Sequence, residues 1–286
     1  MLDRRLLLVS GKGGVGKSAI AAALAIVAAR QGRRVLALAM TEETGLAAHL
    51  GVDALPYEPV GIRPGLSGAA IERSAALDEY LKLQLRVPTA LPTGQLSRAL
   101  SVLVDTAPGI REIITMGKPI YEVWRGHWDL VVADAPPLGQ LQSYLDAPKT
   151  ITGLVPTGTV REQAARLART LADPHESALL LITTPEELSV LETREATAAI
   201  DEERSVLIAG IWANRVIDPL DVPSTRIEGL PDSPARSAAL LHSGLASAQA
   251  PWLEAIPGDP RIPFLFGVRT PAEVSARLAD LCEECV

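Results

Sequence analysis

The chain has 286 residues, a formal net charge of −7 and 48% hydrophobic residues, of which few are aromatic. This length allows one large or two small domains, and the alanine-, leucine- and valine-rich composition favours helices packed on a buried parallel sheet over an all-β fold. We find no run of lysine and arginine residues dense enough to neutralise a row of phosphates, which argues against nucleic acid or an anionic membrane surface as a partner.

The first predicted element is the apolar run from Leu6 to Ser10. It leads into glycines without a cleavage site of small residues, so it indicates a buried strand and not a signal peptide. The longest uncharged apolar run, Ala19 to Ala29, falls well short of the roughly 20 residues that cross a bilayer. We therefore expect a cytoplasmic protein without an integral membrane segment.

A glycine-rich loop follows the first strand. Residues 11–18 read GKGGVGKS and fit the pattern G-x-x-x-x-G-K-[ST], in which backbone N–H groups cradle phosphates, Lys17 reaches the β- and γ-phosphates and Ser18 offers its hydroxyl to Mg²⁺. The helix-forming run that follows places the loop at a helix N-terminus, which favours anions. The alternative, a glycine-rich turn that happens to contain lysine, fits this frame poorly. The nucleotide-binding candidates here are Gly11, Gly13, Gly14, Val15, Gly16, Lys17, Ser18 and Ala19.

Two further apolar runs, residues 33–40 and 127–134, predict buried strands, and the second ends in Asp134. An aspartate at the carboxyl end of a strand behind a phosphate loop is placed to hold Mg²⁺ together with the loop serine. Ser18 and Asp134 are therefore the candidate metal ligands. The alternative is that Asp134 only caps the turn that follows.

Strand and helix patterns continue to alternate along the chain. Residues 177–185 and 205–216 predict two more buried strands, and the helix between them has a predicted capping box that starts at Thr184. The alternation predicts an α/β fold with a doubly wound, mostly parallel sheet flanked by helices, and the glycine-rich loop makes this fold one of the P-loop NTPase kind. We interpret residues 1–286 as one P-loop domain, with a small helical subdomain built from segments of roughly 74–125 and 139–176.

The loop carries a second lysine, Lys12. With it, the loop resembles the deviant Walker A loop of the dimeric P-loop ATPases, which include the MinD/ParA, nitrogenase iron protein and arsenite-pump families. In that class the early lysine reaches across a dimer interface to the phosphates held by the other subunit. The resemblance thus implies a catalytic role for Lys12 beside Lys17 and Asp134; the alternative is a solvated loop lysine.

The rest of the chain resembles the ArsA-type family of arsenite-pump and tail-anchored-protein-targeting ATPases, most closely its short actinobacterial members. ADAPPLGQ at 133–140 is similar to the second switch of the family, and APGIRE at 107–112 and TTPEELSVLET at 183–193 are similar to two of its other segments. The resemblance implies ATP and Mg²⁺ as ligands and, as partner, a second copy or a homologous ArsA-type subunit. It also implies base-binding residues, namely Asn214, Arg215, Pro263, Phe264 and Leu265.

The amide of Asn214 also bears on the choice of nucleotide. It can both donate to and accept from adenine, whereas the GTPase pattern N-K-x-D would need an acid where Ile217 stands. ATP is therefore favoured over GTP. The alternative is that Asn214 caps the exit of its strand.

The first switch departs from the family pattern. Its water-orienting aspartate falls on Thr41, followed by Glu42 and Glu43. A threonine cannot accept a proton as a carboxylate can, and a catalytic group that is misplaced by an ångström costs about a hundredfold in rate. Glu42 or Glu43 would have to substitute with a longer reach, so we expect hydrolysis to be slow or partner-dependent.

Cys282 and Cys285, the two cysteines of the chain, also depart from the family. One C-x-x-C pair supplies two of the four ligands of a structural zinc, and a symmetric dimer completes four only if both C-termini meet. The pair lies at the end of the last predicted helix, whereas the targeting members have theirs before that helix. We expect no zinc, no disulfide framework and a frayed tail with two free thiols.

A methionine-rich client groove, which the targeting members have, is also missing from the sequence. Residues 159–173 show one apolar helical stripe, which predicts packing on the core.

The pattern as a whole predicts an ATP-binding and ATP-hydrolysing dimer in which nucleotide opens and closes two subunits, with an unidentified client. One alternative is a nucleotide-binding regulatory subunit with little turnover of its own, paired with a more active homologue; Thr41 motivates it. Another is a positioning ATPase of the MinD/ParA type. That class requires a basic amphipathic C-terminal helix or a basic DNA-binding face, whereas the C-terminal segment PAEVSARLADLCEECV is acidic.

Overall fold

The computed structural model of the chain describes residues 1–41, 45–84, 109–256 and 260–285. Within these ranges eight strands form one sheet in the order β3-β4-β2-β5-β1-β6-β7-β8, and all neighbours run parallel except β3 and β4. This confirms the predicted doubly wound, mostly parallel α/β fold. The strands are β1 Leu6–Gly11, β2 Val35–Ala39, β3 Val60–Arg63, β4 Leu66–Ala70, β5 Leu130–Asp134, β6 Ser177–Thr183, β7 Ile208–Val216 and β8 Arg261–Pro263.

Ten helices within the described ranges connect and cover these strands. They are α1 Lys17–Arg30, α2 Leu46–Leu50, α3 Arg73–Gln84, α4 Ile110–Arg125, α5 Leu138–Leu154, α6 Thr159–Ala172, α7 Glu187–Glu203, α8 Ser224–Glu228, α9 Pro234–Ala255 and α10 Pro271–Cys282. In this part of the chain no helix combines the length and the apolar character that a membrane span requires.

The core of the described residues consists of two apolar clusters, one on each face of the sheet. Successive strand residues alternate between them: Leu6 and Leu8 belong to one cluster, and Leu7 and Val9 to the other. Strands that are buried on both faces need apolar residues at every position, which explains the continuous apolar runs in the sequence. Helix α1 is buried from Ala19 to Ala28, where small alanines bring it close to the sheet and to α10.

Helices α3 to α6 pack on one another beside the sheet, inside the segments that we assigned to a helical subdomain. Their buried residues, such as Ile120 of α4 and Leu145 of α5, belong to the same cluster as Leu6 and Leu8 of β1. These helices therefore share a core with the sheet. In α6 the buried residues Ala164, Leu167 and Leu171 lie on the predicted stripe, so the stripe packs inward.

The structure corrects several sequence interpretations. The predicted capping box at Thr184 is wrong: α7 begins at Glu187 after Glu186, and the Ser189 hydroxyl accepts a hydrogen bond from the Thr184 N–H at 3.1 Å. The predicted frayed tail is wrong at Cys282, which is fully buried at the end of α10; its thiol pKa is raised to about 12 by burial. Cys285 is exposed. The β3/β4 hairpin was not predicted.

Candidate functional site

The parallel register brings the predicted site residues to one edge of the sheet. Val9 of β1 and Ala39 of β2 both pair with Asp134, the last residue of β5. The glycine-rich loop after β1, Thr41 after β2 and the second-switch segment after β5 therefore leave the sheet side by side. The Ser10 hydroxyl donates to the Pro136 carbonyl oxygen at 2.6 Å, which ties the first and last of these connections together.

The glycines of the loop are required by its backbone and by a close neighbour. Gly16 has φ = 96°, a left-handed value that residues with a side chain rarely adopt. A Cβ there would also lie 2.4 Å from Nδ2 of Asn214. Nδ2 of Asn214, a residue of β7, donates to the Val15 carbonyl oxygen at 2.8 Å and so fixes the loop to this strand. Gly11 is equally constrained, since a Cβ on it would lie 2.1 Å from the Ile182 carbonyl oxygen.

Ser18 and Asp134 meet at the start of α1. The Ser18 hydroxyl donates to Oδ2 of Asp134 at 2.6 Å. Within the described ranges the other oxygen, Oδ1, is buried without a hydrogen-bond partner. Burial raises the pKa of Asp134 to about 6, against the opposing effects of the Ser18 hydrogen bond and the Lys17 charge. A desolvated carboxylate with a free oxygen next to a hydroxyl is a donor set that suits Mg²⁺.

Lys17 lies beside this pair. Its ammonium donates to the Lys12 carbonyl oxygen at 3.2 Å, so the side chain folds back along the loop. Burial lowers the pKa of Lys17, and the Asp134 carboxylate opposes that shift. A partly desolvated ammonium at a helix N-terminus provides a strong positive field for an anion.

A cavity of about 620 Å³ opens in front of this group. Among the titratable residues at its wall, Asp134 is the one carboxylate in the described ranges, whereas Lys17, Arg73, Arg111 and Arg215 are cationic. The cavity therefore suits an anionic ligand. Its lining residues are Gly13, Gly14, Gly16, Lys17, Ser18, Ala19, Thr41, Gly45, His49, Arg73, Arg111, Asp134, Ala135, Pro137, Gln140, Tyr144 and Arg215.

A second cavity of about 370 Å³ adjoins the first and is bordered by Asn214 and by the segment after β7 and β8. Pro263, Phe264 and Leu265 line this second cavity. They are the residues for which the resemblance implied a position over the base. Among the described residues, four border both cavities: Gly16, Ala19, His49 and Arg215. The two cavities therefore form one continuous binding region, polar at the phosphate loop and more apolar beyond it.

Lys12 lies apart from this region. It borders neither cavity, and its ammonium pairs with Oε1 of Glu192 on α7 at 2.7 Å. Both side chains are partly exposed, at 29% and 43%. Lys12 is therefore held at the surface beside the loop, where a second molecule can reach it. Gly11 and Val15 also stay outside the cavity walls and act through the loop's shape.

The structure places most of the remaining candidates and adds others. Thr41 lines the larger cavity, and Glu42 and Glu43 lie outside the described residues. Sequence reasoning missed several residues of the larger cavity, among them His49, Arg73, Arg111, Gln140 and Tyr144. Arg111 falls inside the quoted segment APGIRE, so its position could have been noticed; His49 carries no motif. No cluster of three or more potential metal-ligating His, Cys, Asp or Glu side chains occurs within the described ranges.

Comparison with known proteins agrees with this architecture. The profile of the anion-transporting ATPase family, ArsA ATPase, matches residues 4–157, which is more than half of the chain. The chain belongs to the ArsA ATPase family. Among its relatives, ATPase BagA of Mycobacterium tuberculosis is 33% identical over 256 residues, covering 84% of this chain and 74% of BagA. The ATPase ASNA1 homolog of Cryptosporidium parvum is 22% identical over 255 residues, covering 78% and 68% of the two chains. The matched ArsA segment contains the phosphate loop and Asp134.

Proposed function

We propose that this ArsA-type chain binds ATP with Mg²⁺ at the phosphate loop and hydrolyses it as a dimer, with the nucleotide state opening and closing the two subunits. The observation that carries the proposal is the group formed by Lys17, Ser18 and Asp134 at the start of α1. Burying a carboxylate with one unpartnered oxygen beside a serine and a lysine costs free energy, so this group is not expected in a glycine-rich turn that binds nothing.

The phosphates of ATP fit the larger cavity for electrostatic reasons. The first N–H groups of α1 have no partner within the helix, and Lys17 adds a full positive charge beside them. Lys17 moves from the Lys12 carbonyl oxygen, its partner at 3.2 Å, to the phosphate oxygens when the nucleotide binds. An anion there also favours the charged form of Lys17, because it offsets the desolvation that lowers the lysine pKa.

Ser18 and Asp134 would hold the metal ion. A bound Mg²⁺ supplies positive charge that neutralises the phosphate oxygens during transfer. Asp134 must be ionised for this, and the cation favours that form although burial alone raises the carboxyl pKa to about 6.

Adenine fits the second cavity. Because Nδ2 of Asn214 already donates to the Val15 carbonyl oxygen, its Oδ1 is the atom left to face a base. An acceptor there suits the exocyclic amine of adenine, whereas guanine presents a carbonyl oxygen at the same position. The apolar side chains of Phe264 and Leu265 and the ring of Pro263 provide the face on which the base packs.

The role of Lys12 supports a dimer. Its ion pair with Glu192 is partly exposed, so it contributes only about 0 to 1 kcal/mol and yields readily to a phosphate. We propose that Lys12 leaves Glu192 and supplies its charge to the ATP of the second subunit, which is either another copy or a homologous ArsA-type chain. Such a charge stabilises the transferring phosphoryl group as an arginine finger does.

Thr41 supports a second candidate function. It lines the cavity at the position where the family's first switch has a carboxylate, and its hydroxyl orients an attacking water less well than a base. A regulatory subunit that binds ATP tightly and depends on a homologous partner for turnover therefore remains the alternative. In either case we propose the cytoplasm, which supplies ATP and Mg²⁺, as the place of action.

The test is nucleotide affinity and phosphate release of the purified full chain with Mg²⁺ and ATP. We expect the wild type to bind and hydrolyse ATP and Lys17→Ala to lose both, with turnover falling at least about a hundredfold. Lys149→Ala is the matched control, because Lys149 lies on α5, pairs with Glu203 and borders neither cavity. Tight binding without turnover would support the regulatory alternative. No binding at all by the wild type would overturn both.

A further inference from the structure

We infer that His49 reads the ribose of the bound nucleotide, with its Nε2 accepting a hydrogen bond from a ribose hydroxyl. This inference rests on the proposed function and specifies which part of the nucleotide His49 recognises.

The position of His49 follows from the two cavities. One is bordered by the phosphate loop, where the triphosphate fits, and the other by Asn214 and Phe264, where the base fits. A nucleotide that spans both must place its sugar at their junction. In the part of the chain that the structure describes, His49 is one of four residues that border both cavities, and the other three are Gly16, Ala19 and Arg215. Glycine and alanine have no polar side chain, so His49 and Arg215 are the side chains of this group that can recognise a hydroxyl.

The contacts of His49 fix which nitrogen is free. Nδ1 lies 2.9 Å from the Pro271 carbonyl oxygen and 2.8 Å from Oγ of Ser275. A carbonyl oxygen can only accept, so Nδ1 must carry a proton. The Ser275 hydroxyl in turn donates to the same Pro271 oxygen at 3.2 Å, which leaves its own oxygen to accept from Nδ1. Nδ1 is thus anchored to the start of α10, and Nε2 has no hydrogen-bond partner among the described residues.

The protonation state makes Nε2 an acceptor. Burial lowers the pKa of His49, with the Pro271 hydrogen bond opposing it, so the ring is neutral at physiological pH. A neutral imidazole whose proton is on Nδ1 has a lone pair on Nε2. A ribose hydroxyl is a donor that matches it, whereas a phosphate oxygen, which only accepts, does not. The sugar is therefore the part of the nucleotide that suits this atom.

Two substitutions separate this role from a structural one. In His49→Asn the new amide can still donate to the Pro271 oxygen near the position of Nδ1, but it has no atom near Nε2. In His49→Gln the side chain is longer and can place its amide oxygen near Nε2, but it loses the anchor to α10. Each variant therefore keeps one of the two hydrogen-bonding functions of the histidine: His49→Asn keeps the donor to α10, and His49→Gln keeps the acceptor near the position of Nε2.

The measurement is the affinity of the full chain for ATP, 2′-deoxy-ATP and 3′-deoxy-ATP in the presence of Mg²⁺. We expect the wild type to bind at least one deoxy analogue more weakly than ATP by about three- to tenfold, which is the usual contribution of one hydrogen bond. His49→Asn should lose this discrimination, and His49→Gln should retain most of it. A residue that only anchors α2 to α10 predicts the reverse order, or equal affinities for all three nucleotides in the wild type, and either result would overturn the inference while leaving ATP binding intact. A wild type that binds no ATP would overturn the proposed function itself.

Discussion

At the scale of single residues, Asp134 shows how the site weakens the fold that carries it. Its carboxylate is fully buried, one of its oxygens has no partner in the described part of the chain, and burial raises its pKa to about 6. A carboxyl whose pKa is higher in the folded than in the unfolded state stabilises the fold less as pH rises. Without a bound cation, the buried charge of Asp134 therefore lowers the stability of the fold, and its unpartnered oxygen is the atom that we propose faces the metal ion.

Asp134→Asn should stabilise the apo protein at neutral pH. The shift from 3.8 to about 6 corresponds to a gain on the order of 3 kcal/mol at about pH 8, about half of that at about pH 5, and none below the unfolded pKa. Urea unfolding at the two pH values measures the difference. The same variant should lose Mg²⁺-dependent turnover, because the ligand charge is gone.

Asp129→Asn is the matched control, with the opposite sign. Hydrogen bonds from Arg34 lower the pKa of Asp129 to about 2, so its charged form favours the folded state. Asp129→Asn should therefore be less stable than the wild type above the unfolded carboxyl pKa, and the difference should vanish as pH falls to about 2. If Asp134→Asn were no more stable than the wild type at about pH 8, burial of an unsatisfied carboxylate would be the wrong description of the site.

The sequence predicted residues of this kind where a motif fixed them. Lys17, Ser18 and Asp134 lie together because a phosphate-loop pattern and a strand-terminal aspartate have little freedom in a parallel sheet. His49 was not predicted, since its place depends on how α10, more than 220 residues later in the chain, folds against α2. Glu192 was not predicted as the partner of Lys12 for the same reason.

At the scale of elements, α6 tests whether the helical segments belong to the core. Ala164, Leu167 and Leu171 are buried, in the same cluster as the sheet residues Leu6 and Leu8. A surface that receives a client would instead leave part of this stripe exposed. The burial therefore favours packing over a client groove on this helix.

Leu167→Ala should lower the free energy of unfolding by about 2 to 5 kcal/mol, because it removes a buried side chain and leaves a cavity. Leu154→Ala is the matched control, since Leu154 at the end of α5 is 64% exposed and should change stability by less than about 0.5 kcal/mol. Chemical unfolding measures both. Equal effects of the two substitutions would contradict the packing assigned to α6.

The elements that the sequence predicted correctly are those with a strong period or a continuous apolar run, such as β1, β5 and α6. The hairpin of β3 and β4 was not predicted, because its sequence, with Gly61 and Gly68, resembles that of a loop. Its place in the sheet depends on the pairing of β4 with β2, which the local sequence does not show. The start of α7 was predicted two residues too early, with Thr184 in place of Glu186 as the N-cap. The reason is that the Ser189 hydroxyl accepts a hydrogen bond from the Thr184 N–H at the end of β6, and Thr184 provides no cap.

At the scale of the whole molecule, the chain of this ArsA ATPase family member has two adjoining cavities and one loop lysine, Lys12, that borders neither of them. Lys17 and Asp134 line the larger cavity, whereas Lys12 is held away from it by Glu192. In one chain the proposed phosphate site and the Lys12 ammonium therefore lie apart from each other. Two chains facing each other through this edge would complete each other's sites.

The most direct test of this claim is phosphate release by a mixture of Lys12→Ala and Lys17→Ala chains with Mg²⁺ and ATP, measured beside the wild type and each variant alone. Each variant alone should be inactive. Lys12→Ala chains cannot supply the Lys12 charge to the ATP of a partner, and Lys17→Ala chains lack the charge that holds their own ATP. In a mixed dimer the Lys12→Ala chain holds ATP and receives Lys12 from its partner, so an equal mixture should recover roughly a quarter of the wild-type rate. A mixture that stays inactive, beside a wild type that hydrolyses ATP, would contradict the account, because Lys12 would then serve only its own chain.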